Sequence, residues 1–208
     1  MNELIRVYQN IIPANICDEI ITKFDSDPGR FKGVVRSPDF GGGVRPVVKT
    51  STDLQISKLA NTDPSWKRYV DILGNAYMAA IKKYAEDVSS MRYLVGQMGI
   101  TGFQIQCYPP DEGHYTEHVD ANSTMASLRV LSGVIYLNTV ENGGETSFPY
   151  QDKKIKPVQG SIAIFPSNFA FPHEALNPIG KPKYIAATWL SFSVRQFIKQ
   201  ANELTLDN

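Results

Sequence analysis

From residue 93 onward the chain is cut into short β-prone runs separated by strong turn signals, and this limits its fold more than any other feature. The runs "GFQIQCY" (102–108), "SLRVLSGVIYLN" (127–138), "GSIAIFP" (160–166) and "KYIAATWLSF" (183–192) are rich in β-branched and aromatic residues. "PPDEG", "ENGG" and "PSN" punctuate them. Several short strands at this spacing predict an all-β sandwich, barrel or jelly roll. Side chains alternate faces along a strand. The first run therefore puts Phe103, Ile105 and Cys107 on one side and Gln104, Gln106 and Tyr108 on the other. In the last run Lys183, Ile185, Ala187 and Trp189 share a face. A lysine among such neighbours makes sense where that face lines a pocket that binds an anion.

The first 92 residues carry a different pattern. Asn15 is placed to cap a helix with an apolar stripe of Ile16, Ile20, Ile21 and Phe24, ended by "DSDPG". Asp63 and Pro64 are the N-cap and first-turn residues of a longer helix. Trp66, Val70, Leu73, Tyr77, Ile81 and Tyr84 recur on one face of it. Between the helices, residues 29–56 read as short strands around a Gly-Gly-Gly tip, a kind of loop that often carries function. The C-terminal "VRQFIKQANELTLDN" reads as a short helix followed by a frayed tail.

Charge excludes some partners. The 21 basic and 21 acidic residues cancel, so no nucleic-acid partner is indicated by overall charge. No apolar run approaches the roughly 18 residues of a membrane span, and the N-terminus lacks the apolar core of a signal peptide. The two cysteines, Cys17 and Cys107, form no Cys-x-x-Cys pair. The expectation is a soluble protein of the cytoplasm or another reducing compartment, with no membrane partner.

Three histidines occur in the chain, two of them in "GHYTEHVD" (113–120). On an extended segment the side chains of His118 and Asp120 point the same way and can share an ion. His173 follows 53 residues after Asp120. Two imidazoles and one carboxylate on one face of a metal leave other positions open, the ligand set of non-haem iron(II) oxygenases. A second arrangement competes at this point. His114 and His118 have the i, i+4 spacing of a helical zinc pair, which requires a helix here and predicts a hydrolase.

The order of further motifs is specific. Tyr108, "YTEHVD", "RVLSGVIYLN", "GGETSFP", "PHEALNPIGKPKY" and Trp189 follow one another in the chain. In this, residues 102–192 resemble the prolyl 4-hydroxylase family of iron(II)/2-oxoglutarate-dependent dioxygenases. Ser132 stands where threonine is common in the family, and Tyr184 where tryptophan is common. The resemblance implies a mostly β chain with N-terminal helices, its core a double-stranded β-helix (jelly-roll) supported by helices. It implies a single catalytic domain over 1–208, with helical support and a substrate loop in 1–92, the jelly-roll core in 93–195 and a tail in 196–208.

It also implies roles. His118, Asp120 and His173 would ligate Fe(II) and form the catalytic centre. Lys183, with Tyr108 and Tyr136, would bind the cosubstrate 2-oxoglutarate, Lys183 pairing with its distal carboxylate. Arg129, Trp189 and, from the glycine-containing loop, Arg36 would contact substrate. The implied reaction consumes 2-oxoglutarate and O2, releases succinate and CO2 and hydroxylates an unactivated C–H bond, with ascorbate as supporting reductant. The expected substrate is a prolyl residue in a peptide or protein. The alternatives are another residue, a free amino acid or a small molecule, and, in a different class, a non-catalytic jelly-roll module that only binds a ligand.

Overall fold

The computed structural model describes residues 2–37, 41–124 and 126–193. In chain order the elements are β1 (Arg6–Tyr8), α1 (Ala14–Ser26), β2 (Phe31–Lys32), β3 (Val34–Ser37), β4 (Gly41–Val44), β5 (Lys49–Thr50), β6 (Thr52–Leu54), α2 (Ile56–Leu59) and α3 (Pro64–Asp87). They continue with β7 (Met98–Ile100), β8 (Gln104–Tyr108), β9 (His114–His118), β10 (Arg129–Tyr136), β11 (Thr146–Phe148), β12 (Lys153–Ile155), β13 (Ile162–Pro166), β14 (His173–Ala175) and β15 (Lys183–Phe192).

The strands form two facing antiparallel sheets. The larger has the order β1-β13-β10-β15-β8-β6-β2, with β7 also paired to β15. The smaller has the order β12-β11-β14-β9-β5. From β8 to β15 the chain passes back and forth between the sheets, which is the double-stranded β-helix. The N-terminal region supplies strands as well: β1 pairs with β13, β6 with β8 and β5 with β9. The hairpin β3–β4 stands apart as a two-stranded sheet.

The large sheet is buried on both faces, and each face has its own core. Outside the barrel, Trp66, Leu73, Tyr77 and Ile81 of α3 and Ile20 and Phe24 of α1 pack on Ile105, Ile135, Ile164, Ala186 and Leu190. Inside, Tyr108, Tyr136, Phe148, Phe165 and Ile185 form a second cluster. Gly133 shows how closely helix and sheet fit. A Cβ there would collide with the Tyr77 ring, so the strand needs its glycine at that point.

Asp63 caps α3 as expected, its side chain accepting the Ser65 N–H at 2.8 Å, with Pro64 in the first turn. The start of α1 differs from expectation. Pro13 is the N-cap and Asn15 lies inside the helix, because proline's fixed φ (−60°) already suits a helix entry. The C-terminal helix expected over 194–208 lies outside the described residues. Among the described residues no helix is long and apolar enough to cross a membrane.

Candidate metal and 2-oxoglutarate site

His118 and His173 are brought together by strand pairing. They are direct cross-strand partners in β9 and β14, and their rings lie 4.3 Å apart between centroids. Strand β9 ends at His118 and the chain bends at Asp120. The ligands therefore do not share a face of one strand, as their spacing suggested. The bend turns Asp120 back over the strand end instead. Asp120 Oδ1 lies 3.9 Å from His118 Nε2, and Oδ2 lies 3.8 Å from His173 Nε2. Ligand atoms of all three residues fall within 4.8 Å of one another.

The tautomers suit a metal. His118 Nδ1 faces the Thr116 carbonyl at 2.8 Å, and His173 Nδ1 faces that of Phe171 at 3.2 Å. A carbonyl only accepts, so each Nδ1 carries the proton and each Nε2 presents its lone pair to the centre. Burial, then the neighbouring His173, lowers the His118 pKa to about 3, so this imidazole is neutral at physiological pH. Burial opposes ionisation of Asp120, but His173, His118 and the Ser132 hydroxyl outweigh it and hold its pKa below the usual range. Neutral imidazole with ionised carboxylate is the donor set a divalent cation needs. Tyr115 stacks on His118 at 3.6 Å and fixes the ring plane.

His114 has no part in this site. It begins β9, and four strand positions separate it from His118 by about 13 Å. Its Nδ1 and Nε2 face the carbonyls of Glu112 and Val47 at 2.8 and 3.3 Å. The helical zinc pair is thereby excluded.

The triad opens into a cavity of about 900 Å³ that reaches Lys183. Lys183 is 1% exposed and has no ion-pair partner among the described residues. Its ammonium donates to the Gly144 carbonyl at 2.9 Å and sits 4.6 Å from the centre of the Tyr108 ring, its cross-strand partner. Burial lowers its pKa to about 7, with Glu145 opposing the shift. Gly143 and Gly144 both have positive φ (69° and 73°), which turns the "NGGE" segment so that this carbonyl faces the lysine.

The two tyrosines differ. Tyr108 lines the cavity, and its hydroxyl donates to Gln106 Oε1 at 2.6 Å. Tyr136 is wholly buried, and its hydroxyl meets Thr146 Oγ1 at 2.7 Å. Of that pair Thr146 lines the cavity. Thr146, within the "GGETSFP" run, is thus a cavity residue that no motif role had singled out.

At the mouth the Arg129 guanidinium lies 3.8 Å over the Trp189 ring and donates to the Asp120 carbonyl at 3.0 Å. The backbone of Arg36 pairs with Gly42 in the β3–β4 hairpin. Its side chain, like the loop tip at 38–40, lies outside the described residues.

Lys49 and Gln104 also line the cavity and meet in a polar cluster that the motifs do not include. Lys49 Nζ meets Asp53 Oδ2 at 2.7 Å, while Ser51 and Gln104 also donate to Asp53. The alternation Lys49, Ser51, Asp53 in "KTSTD" was a signal, but the corner between two sheets that makes it a site is not visible in sequence.

The comparisons with known proteins agree with this geometry. Residues 103–191 match the model of the 2OG-Fe(II) oxygenase superfamily. The match spans the strand core, from the start of β8 to the end of β15. No curated protein matches it. The fold is similar to that of the viral collagen prolyl hydroxylase of Paramecium Bursaria Chlorella virus-1 in its 2OG complex. That pair shares 18% identity and a TM-score of 0.62, over 91% of this chain and 97% of that one. A Pseudomonas putida prolyl-4-hydroxylase shares 19% identity and a TM-score of 0.62, over 90% and 92% of the two chains. The Trichoplax adhaerens prolyl hydroxylase in complex with a hypoxia inducible factor peptide fragment shares 18% identity and a TM-score of 0.69, over 91% and 84%. At these identities the likeness is one of fold.

Proposed function

We propose that this chain is a 2OG-Fe(II) oxygenase, a dioxygenase that hydroxylates an unactivated C–H bond, with prolyl residues of a peptide or protein as its substrate class. One observation carries the reading. The His118, Asp120 and His173 ligand atoms and the buried Lys183 ammonium face the same cavity. A cation site and an isolated buried cation within one enclosure suit a small dicarboxylate that binds both.

His118 Nε2, His173 Nε2 and an Asp120 oxygen would hold Fe(II), and the residues present fit it in number, donor type and tautomer. When bound, the iron with 2-oxoglutarate supplies O2 activation and C–H cleavage, the organic acid leaving as succinate and CO2 while the substrate gains one oxygen.

The protein supplies orientation. Lys183 takes the distal carboxylate of 2-oxoglutarate and is relieved of its isolation by doing so. Tyr108 and the Tyr136–Thr146 pair border that carboxylate, with Gln106 and the shared hydroxyl contact fixing their rotation. The apolar inner cluster keeps bulk water from the reacting atoms. Arg129, stacked on Trp189, would bind a substrate carbonyl at the mouth. Phe31 and Val34 line the same cavity and present apolar surface to an extended chain, with Arg36 of the neighbouring hairpin strand as a further contact. Ascorbate is the supporting reductant in this reading.

Succinate formation with Fe(II), 2-oxoglutarate, O2 and ascorbate, measured with proline-containing peptides and with free amino acids, tests the proposal. The expected result is peptide-stimulated succinate and a peptide one oxygen heavier. Stimulation by free amino acids alone would overturn the substrate class.

A further inference from the structure

We infer that Ser167 is a positioning residue for the metal-binding carboxylate, acting through the hydroxyl of Ser132. This rests on the assignment of Asp120 as a metal ligand.

The direction of the hydrogen bonds follows from counting protons. Ser132 Oγ is in hydrogen-bond contact with both Asp120 Oδ2 and Ser167 Oγ, the latter at 2.8 Å. A hydroxyl has one proton, and an ionised carboxylate only accepts. Ser132 therefore gives its proton to Asp120, and Ser167 must donate to Ser132. Each donor polarises the next, which strengthens the bond that ends on the carboxylate.

The Ser167 backbone holds the same assembly. Its N–H donates to the Val130 carbonyl at 3.1 Å, on the strand that carries Ser132. Its carbonyl accepts from the Ala121 N–H at 2.9 Å, the residue directly after Asp120. One residue thus ties down both the chain that follows the ligand and the hydroxyl that orients it. Ser132 and Ser167 are each 1% exposed, so solvent has little access to replace a lost donor. Ser132 and Ser167 lie on β10 and just past the end of β13, and Ser132 is the cross-strand partner of Phe165. Their meeting is built into the sheet register rather than being a chance contact of loops.

The test is anaerobic titration with Co(II), read by its visible absorption, in the absence of 2-oxoglutarate. Ser167→Ala is expected to weaken Co(II) binding about 10-fold, in the range for losing a partner behind a metal ligand. Ser132→Ala is expected to weaken it at least as much. The double variant should be no weaker than Ser132→Ala alone, because Ser167 has nothing left to act through. Ser167→Thr should restore affinity to within about twofold, whereas Ser167→Cys, of similar size but a poor donor, should not. Melting temperatures of the metal-free proteins separate these effects from loss of fold. An equal loss from Ser167→Ala on both backgrounds would overturn the inference. So would unchanged affinity in Ser167→Ala, or equal affinity of the Thr and Cys variants. Failure of the wild type to bind Co(II) would instead sink the metal assignment itself.

Discussion

Two lysines are buried in the wall of one cavity, and they are held in opposite ways. Lys49, 4% exposed, has an aspartate at 2.7 Å, and that aspartate is completed by Ser51 and Gln104. Lys183, 1% exposed, has one carbonyl and the face of an aromatic ring. The first cation is neutralised by the protein and closes the corner between β5 and β6. The second is left for something anionic to complete. The histidines divide along the same line. His114 turns both ring nitrogens toward backbone carbonyls at the start of β9, away from the metal centre, while His118 and His173 turn one each to a carbonyl and the other inward. For these two lysines and three histidines, the groups with a partner still to find face the cavity centre, and the completed ones belong to the scaffold.

The largest effect should come from breaking the completed pair. Lys49→Met leaves Asp53 buried without its cation and is expected to cost about 3–5 kcal/mol of stability, read by urea denaturation. Adding Asp53→Leu should recover most of that loss. Full stability in the single variant would show that the pair is not structural.

Lys183→Met should do the reverse. It is expected to weaken 2-oxoglutarate binding by about 2–5 kcal/mol, roughly 30-fold or more, in calorimetry with Mn(II) as the metal. Its melting temperature should stay level or rise, because an isolated buried charge is removed. A fall in stability with unchanged 2-oxoglutarate affinity would make Lys183 a second scaffold cation.

Protonation sharpens the contrast. The Lys183 pKa falls on folding from 10.5 to about 7. Below about pH 7 both states carry the proton and the full burial penalty applies. Between pH 7 and 10.5 the unfolded chain still binds the proton while the folded chain has released it, so this residue's contribution to stability improves as pH rises. Ligand binding runs the other way. The carboxylate needs the ammonium, so above about pH 7 the Kd for 2-oxoglutarate should rise by up to about tenfold per pH unit, with proton uptake on binding. A Kd flat from pH 6.5 to 8.5 would contradict this.

The smallest effect belongs to His114. His114→Gln should leave Co(II) affinity within about twofold of the wild type, since this ring turns no lone pair toward the ion. A tenfold loss would restore His114 as a ligand.

Much of this was legible in the sequence because it depends on local rules. Strand alternation separated Gln104, Gln106 and Tyr108 from Phe103 and Ile105, and the structure lines the cavity with the first set and packs the second against the helices. The Asp63–Pro64 start of α3 was readable because cap chemistry involves neighbouring residues. The residues at 118, 120, 173 and 183 stood out as candidates through the order of the surrounding motifs and the resemblance that order carries, since a His-x-Asp alone occurs in many chains. Asn15 misled because a good capping residue stood two positions beyond a proline that already set the helix entry.

The tertiary structure decided what depends on register and on residues far apart. Pairing of β9 with β14 sets His118 opposite His173, and a bend, not strand periodicity, returns Asp120 to them. Pairing of β15 with β8 places Lys183 over Tyr108. The Lys49–Asp53 corner and the Ser167–Ser132–Asp120 chain exist only once two sheets face each other. A sequence specifies which side chains can donate, accept or ligate. Which of them end without a partner is fixed by antiparallel pairing between segments tens of residues apart, and that incompleteness is what a ligand meets.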